Sequence, residues 1–180
     1  YPLAAFQRLE LTPGHKPVMA EIDLVSSHTP WAPLPTMVPW NKVGNGSIFD
    51  PQPAESESST TVWRNESTVR QFYGMSIQYS LTALTSWVTE LNDPNLVLIF
   101  MGDHQPHTAV SGSGANHNVP VSIVTRAPSV LKQMSSWHWQ NGLMPDLGAP
   151  LEPMDAFRNQ FLNTFSSAAA QTASAGTPGH

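Results

Sequence analysis

The stretch "NLVLIFMGDHQPHTAVSG" (residues 95–112) changes character at its midpoint. Leu96 to Met101 is an unbroken apolar run. Gly102 stops it, and Asp103, His104 and, a little further on, His107 follow. A continuous apolar run bounded by turn residues is the pattern of a strand buried on both faces. In open α/β sheets, functional groups gather just beyond the carboxyl ends of the strands. A glycine at the exit leaves the backbone free to turn, so Asp103 and His104 are expected to emerge from a sheet edge on a firm support.

Working outward, the segment upstream reads as a helix. Ser67 or Thr68 is placed to cap it, and Val69, Phe72, Tyr73, Ser76, Ser80, Leu84, Trp87, Val88 and Leu91 recur at three- and four-residue intervals. Asn92, Asp93 and Pro94 end it. Further back, Val18, Ala20, Ile22 and Leu24 alternate with other residues, which predicts a strand from Pro17 to Val25 that stops at "SSHTP". Strand, helix and strand in this order predict a βαβ unit. The expected fold class is therefore α/β, a mostly parallel sheet with flanking helices. Downstream, "VPVSIVT" reads as another buried strand, "SVLKQM" as a short helix or turn, and Met154, Phe157, Phe161, Leu162 and Phe165 as one face of a last helix.

These elements make one domain over residues 1–166, with a long Pro-, Ser-, Asn- and Gly-rich loop at 31–66, and a low-complexity tail at 167–180 expected to be disordered. Trp31, Trp40 and Trp63 favour an ordered loop, the kind that forms a rim or lid. Together with Trp137 and Trp139 they offer a platform for a carbohydrate or headgroup. The plainer alternative is that they pin loops to the domain surface.

Composition narrows the function. The net charge is −5 and the eight Lys and Arg residues are scattered, so no basic stripe suits a nucleic acid. The absence of cysteine excludes disulfides and thiolate metal sites. No apolar run is long enough to span a membrane. The first residue, Tyr1, reads as a point inside a longer protein.

A carboxylate beside an imidazole is a ligand pair for zinc or manganese, and consecutive residues leaving a strand diverge enough to approach an ion from different angles. The bland alternative is an aspartate making a turn with a solvated histidine beside it. His28, just past the end of the other expected strand, strengthens the metal-site option by bringing a second histidine toward the same sheet edge.

At this point the residues resemble a family. "AEIDLVSSHTPW" followed by "FYGMSIQYSLTALTSWVTELNDPNLVLIFMGDHQP" is similar to the C-terminal portion of the alkaline phosphatase/sulfatase superfamily, in its lipoteichoic-acid-synthase-like and sulfatase-like branch. The motifs are His28-Thr29-Pro30-Trp31, the helix from Tyr73 to Leu91, Gly102-Asp103-His104, and Val119-Pro120. The family's usual glycine after the imidazole is Gln105 here.

The resemblance implies an incomplete alkaline-phosphatase-like fold, with Asp103 and His104 as ligands of a divalent metal (Mn, Zn, Mg or Ca). It implies a phosphate- or sulfate-contacting role for His28, and it offers His107 and His117 as further ligands of a second metal. The implied parent is a bacterial, extracytoplasmic, membrane-anchored hydrolase or transferase of phosphate or sulfate esters, lipid- or wall-linked. Its nucleophile and first acidic ligand would lie in the missing N-terminal half, which leaves this chain inactive alone. Two alternatives stand beside it. One is a non-catalytic sulfatase-like module that binds a polymer or partner through the Trp-bearing loops. The other is a small metal-binding domain built on Asp103, His104 and His107.

Overall fold

A computed structural model describes residues 1–166. The expected disordered tail at 167–180 lies outside the described residues. The chain divides into two compact units, one of residues 1–93 and 105–116, the other of residues 94–104 and 117 onward.

The first unit is helical. It contains α1 (Pro2–Glu10), two one-turn helices α2 (Gln52–Glu55) and α3 (Ser59–Val62), the long α4 (Glu66–Leu91) and the short α5 (Thr108–Ser111). Helix α4 has the extent that its periodicity predicts, and its ends have local causes. The Asn65 side chain accepts the Ser67 N–H at 2.8 Å and caps the helix two residues before Ser67, the nearer of the expected caps, and Glu66 sits favourably in the first turn. Asn92 closes the helix in the left-handed region at φ 47°, and Pro94 prevents continuation.

Val69, Ser76, Ser80, Leu84 and Trp87 form the buried stripe of α4. Two serines in that stripe keep it narrow. At its C-terminal end Trp87 meets α1: its ring lies 6.2 Å from Phe6, and its Nε1–H donates to Gln7 Oε1 at 2.9 Å. At its N-terminal end Val69 joins Trp31, Ala32 and Val62 in the unit's core, with Trp63, Phe72, Tyr73, Ala109 and Val110 packed around them.

The second unit holds β1 (Val97–Met101) and β2 (Val121–Thr125), followed by α6 (Pro128–Gln133) and α7 (Met154–Phe165). Trp137 is its hub. The ring is 3% exposed, donates its Nε1–H to Thr164 Oγ1 at 3.0 Å, and meets Trp139, Phe157 and Phe165 edge-on at 5.3, 6.0 and 6.1 Å. Phe157, Phe161 and Phe165 recur every fourth residue, so α7 presents all three to one side.

This architecture overturns the expected parallel α/β sheet. The described residues are helix-rich and carry a two-stranded sheet only. Its strands run antiparallel, with Val97 opposite Thr125, Ile99 opposite Ile123 and Met101 opposite Val121. The segment between β1 and β2 contains just the four-residue α5, not the packed crossover helix that joins parallel neighbours.

The strand expected at Pro17–Val25 does not form. Those residues are extended without a ladder and end in a 3-10 turn at Val25–Ser27, so no βαβ unit leads into β1. Alternation survives as alternate exposure, with Ile22 and Leu24 half-buried between exposed neighbours, but among the described residues the segment pairs with no strand. Nor is β1 buried on both faces. Val97 and Met101 are each 42% exposed and the three residues between them are half-buried.

The expected loop at 31–66 is ordered by short local turns. Beyond α2 and α3 these are 3-10 turns at Trp40–Lys42 and Ser47–Phe49.

Candidate functional site

Asp103 and His104 stand immediately beyond Met101, the last residue of β1, with Gly102 between. Gly102 is not in the left-handed region. A Cβ placed there would meet Val119 at 3.6 Å, an ordinary contact. The exit from β1 therefore does not depend on glycine's conformational freedom, contrary to the sequence-based expectation.

The Asp103 carboxylate is divided between two tasks. Oδ1 accepts the backbone N–H of His104 at 2.9 Å, which folds the side chain back along its own chain. Oδ2 lies 3.4 Å from His104 Nε2. The side chains are 84% and 68% exposed respectively, so water reaches both.

As a donor set, one hard carboxylate oxygen and one imidazole nitrogen in contact suit zinc or manganese better than the all-oxygen preference of magnesium or calcium. Two donors are a partial set. Among the described residues no three His, Asp or Glu side chains are grouped to hold a metal ion.

The other histidines differ in what their ring nitrogens do. His28 is exposed in the first unit, just after the 3-10 turn, and its Nδ1 lies 2.7 Å from the Thr29 carbonyl. A carbonyl only accepts, so Nδ1 carries the proton and the neutral ring keeps a lone pair at Nε2. Contact with an anion through Nε2 therefore requires the imidazolium form.

His107 is the reverse case. Its Nδ1 accepts the Ala109 N–H at 3.1 Å and caps α5. The neutral ring then carries its proton on Nε2, and neither nitrogen has a lone pair to give a metal without breaking the cap or moving the proton. His117 is exposed ahead of β2.

The segment after His28 is firmly held. Trp31 is 3% exposed and sits at φ 61°, a left-handed backbone that a bulky side chain rarely adopts. Its Nε1–H donates to the Ser27 carbonyl at 2.8 Å. Its ring stacks on Trp63 at 5.6 Å and meets Tyr73 edge-on at 5.2 Å. Trp63 in turn donates its Nε1–H to the Pro30 carbonyl at 3.0 Å and takes His107 on its edge at 5.1 Å. The peptide bonds Thr29–Pro30 and Ala32–Pro33 are both cis.

Burial pushes the Tyr73 and Tyr79 phenols above their ordinary pKa. The tryptophans of the long loop are thus internal pins at Trp31 and half-buried partners at Trp40 and Trp63, and Trp137 is wholly internal. Sequence spacing had not linked His107 to Trp63. The usable signal was "HTAVSG", in which a polar ring precedes one short apolar turn.

No helix of the described residues is long and apolar enough to cross a membrane. Comparison with protein-family models, with curated proteins and with solved structures finds no match.

Proposed function

We propose that Asp103 and His104 give a carboxylate and an imidazole to a divalent metal, manganese or zinc, in an enzyme that hydrolyses or transfers phosphate or sulfate esters. In this proposal the chain is the C-terminal part of the catalytic domain. The nucleophile and the remaining ligands come from another segment, and the complete protein works outside the cytoplasm at a membrane or wall. The supporting observation is the contact of Asp103 Oδ2 with His104 Nε2 just beyond β1: two donors of suitable chemistry, side by side, with no third His, Asp or Glu grouped with them among the described residues.

A metal bound there would act as a Lewis acid on an ester oxygen and lower the pKa of a hydroxyl nucleophile. The chain's own contribution is positional. Strand β1 fixes the backbone from which both donors leave, and the Oδ1 bond to the His104 N–H sets the carboxylate's orientation. Burial of Trp31 and Trp137 counts against an open tryptophan platform, so the polymer-binding module gains no support.

Manganese titration, read by the electron paramagnetic resonance of the free ion, tests the proposal. The chain alone is expected to take up one ion weakly and to lose that uptake in Asp103→Asn and His104→Ala. It should not turn over an aryl phosphate. Equal uptake by the wild type and the double variant would refute the proposal. Tight binding dependent on His107 would favour a self-sufficient metal domain instead.

A further inference from the structure

The dipeptide Asn-Gly occurs twice, at Asn45-Gly46 and at Asn141-Gly142. It carries a chemistry of its own. The glycine nitrogen lies within reach of the asparagine carboxamide carbon, and with no Cβ on the glycine nothing shields that approach. Both asparagines are exposed, so water reaches each. Their hydrogen bonds nevertheless differ.

Asn45 is held on both sides of the bond that would have to turn. Gly46 donates its N–H to the Val43 carbonyl at 2.9 Å, and its own carbonyl accepts the Phe49 N–H at 3.0 Å. Asn45 Oδ1 accepts the Ser47 N–H at 3.1 Å, which ties the carboxamide to the residue beyond the glycine. The Tyr1 ring packs against Gly46: a Cβ there would lie 2.9 Å from Tyr1 Cδ2. Around Asn141 only the two ends of the loop are tied. Gln140 Nε2 donates to Asp146 Oδ1, and the Asp146 N–H returns to Gln140 Oε1 at 3.1 Å. Between those anchors, residues 141–145 make no hydrogen bond to another described residue, and a Cβ on Gly142 would meet nothing within 4 Å.

We propose that Asn141 is a site of spontaneous deamidation and isomerisation, and that the fold of the first unit protects Asn45 from the same reaction. The Gly142 nitrogen attacks Cγ of Asn141, so that an N–Cγ bond forms as Cγ–Nδ2 breaks. The glycine N–H proton leaves with the carboxamide nitrogen as ammonia. Water then opens the succinimide at either of its carbonyls and yields aspartate or isoaspartate; the net change is water in and ammonia out. At Asn45, ring closure first breaks the Gly46 and Ser47 bonds, which slows it about tenfold. Conversion at Asn141 places a carboxylate in the loop between Gln140 and Asp146, beside the exposed Leu143 and Met144. Isoaspartate also lengthens the backbone there by a methylene.

The test holds the whole chain at mildly alkaline pH and maps its peptides by mass spectrometry with electron-transfer fragmentation, which separates aspartate from isoaspartate. Residue 141 should convert first and give both products, with residue 45 about tenfold slower. In guanidinium chloride the two rates should converge, because the dipeptide is the same and the protecting bonds are gone. Asn141→Gln should remove the fast conversion, since its longer side chain closes a larger ring far less readily. Equal rates at the two sites of the folded chain, or faster conversion at Asn45, would overturn the proposal. So would a ratio of rates that denaturant leaves unchanged.

Discussion

Trp31 stacks on Trp63 with ring centroids 5.6 Å apart and an interplanar angle of 15°, and each indole N–H is tied to a carbonyl of the segment 27–30. Two rings and two hydrogen bonds thereby fix the short stretch that contains His28. The stack accounts for the left-handed backbone of Trp31: a conformation costing about 1–2 kcal/mol for a residue with a Cβ persists where packing outweighs it.

Replacing Trp31 should therefore separate packing from strain. Trp31→Ala removes the ring and is expected to destabilise the first unit by about 3–5 kcal/mol. Trp31→Gly loses the same packing but relieves the left-handed backbone. It should be no less stable than Trp31→Ala, an inversion of the usual order of alanine and glycine. Urea unfolding followed by circular dichroism gives both values. A loss below about 1 kcal/mol for Trp31→Ala would show that the stack does not hold the segment.

The two serines of the α4 stripe make opposite contributions. Ser76 is fully buried, and its hydroxyl donates to the Tyr73 carbonyl at 2.7 Å. The Ser80 Oγ is buried with no hydrogen-bond partner. An unsatisfied buried hydroxyl carries its whole desolvation cost, and alanine is the better helix former. Ser80→Ala should raise stability by about 1 kcal/mol, whereas Ser76→Ala should not. Paired urea melts check the contrast. Destabilisation by Ser80→Ala would mean that the hydroxyl has a partner, such as a buried water.

What could be read in the sequence follows from how local each cause is. The extent of α4 was legible because Asn92 and Pro94 act on their own turn, and α7 because Phe157, Phe161 and Phe165 repeat along one helix. Strands β1 and β2 were legible as strands, but not as antiparallel neighbours. An apolar run such as "VLIFM" records burial and leaves the direction of the partner open. At Pro17–Val25 the alternation describes a face, whereas a strand also needs an edge to bond, and among the described residues this segment pairs with none. The site divides in the same way. The position of Asp103 and His104 just beyond β1 was legible because they follow the apolar run. The role of His107 depends on the Ala109 N–H, which becomes available only once α5 has formed.

The tyrosines supply a pH dependence whose sign is fixed by burial. Desolvation raises the pKa of Tyr73 and Tyr79, because a phenolate inside the unit has lost its water. In the unfolded chain both ionise near the ordinary value of 10.0. The unfolded state therefore releases protons first as pH rises, and folding loses stability from that point upward. Below it the contribution is complete. Unfolding midpoints in urea should stay level up to the ordinary phenol range and fall beyond it, and ultraviolet titration of the folded chain should show two late phenols. Tyr73→Phe with Tyr79→Phe should flatten the alkaline fall, which assigns it to the tyrosines. An unchanged slope in that double variant would place the alkaline sensitivity elsewhere.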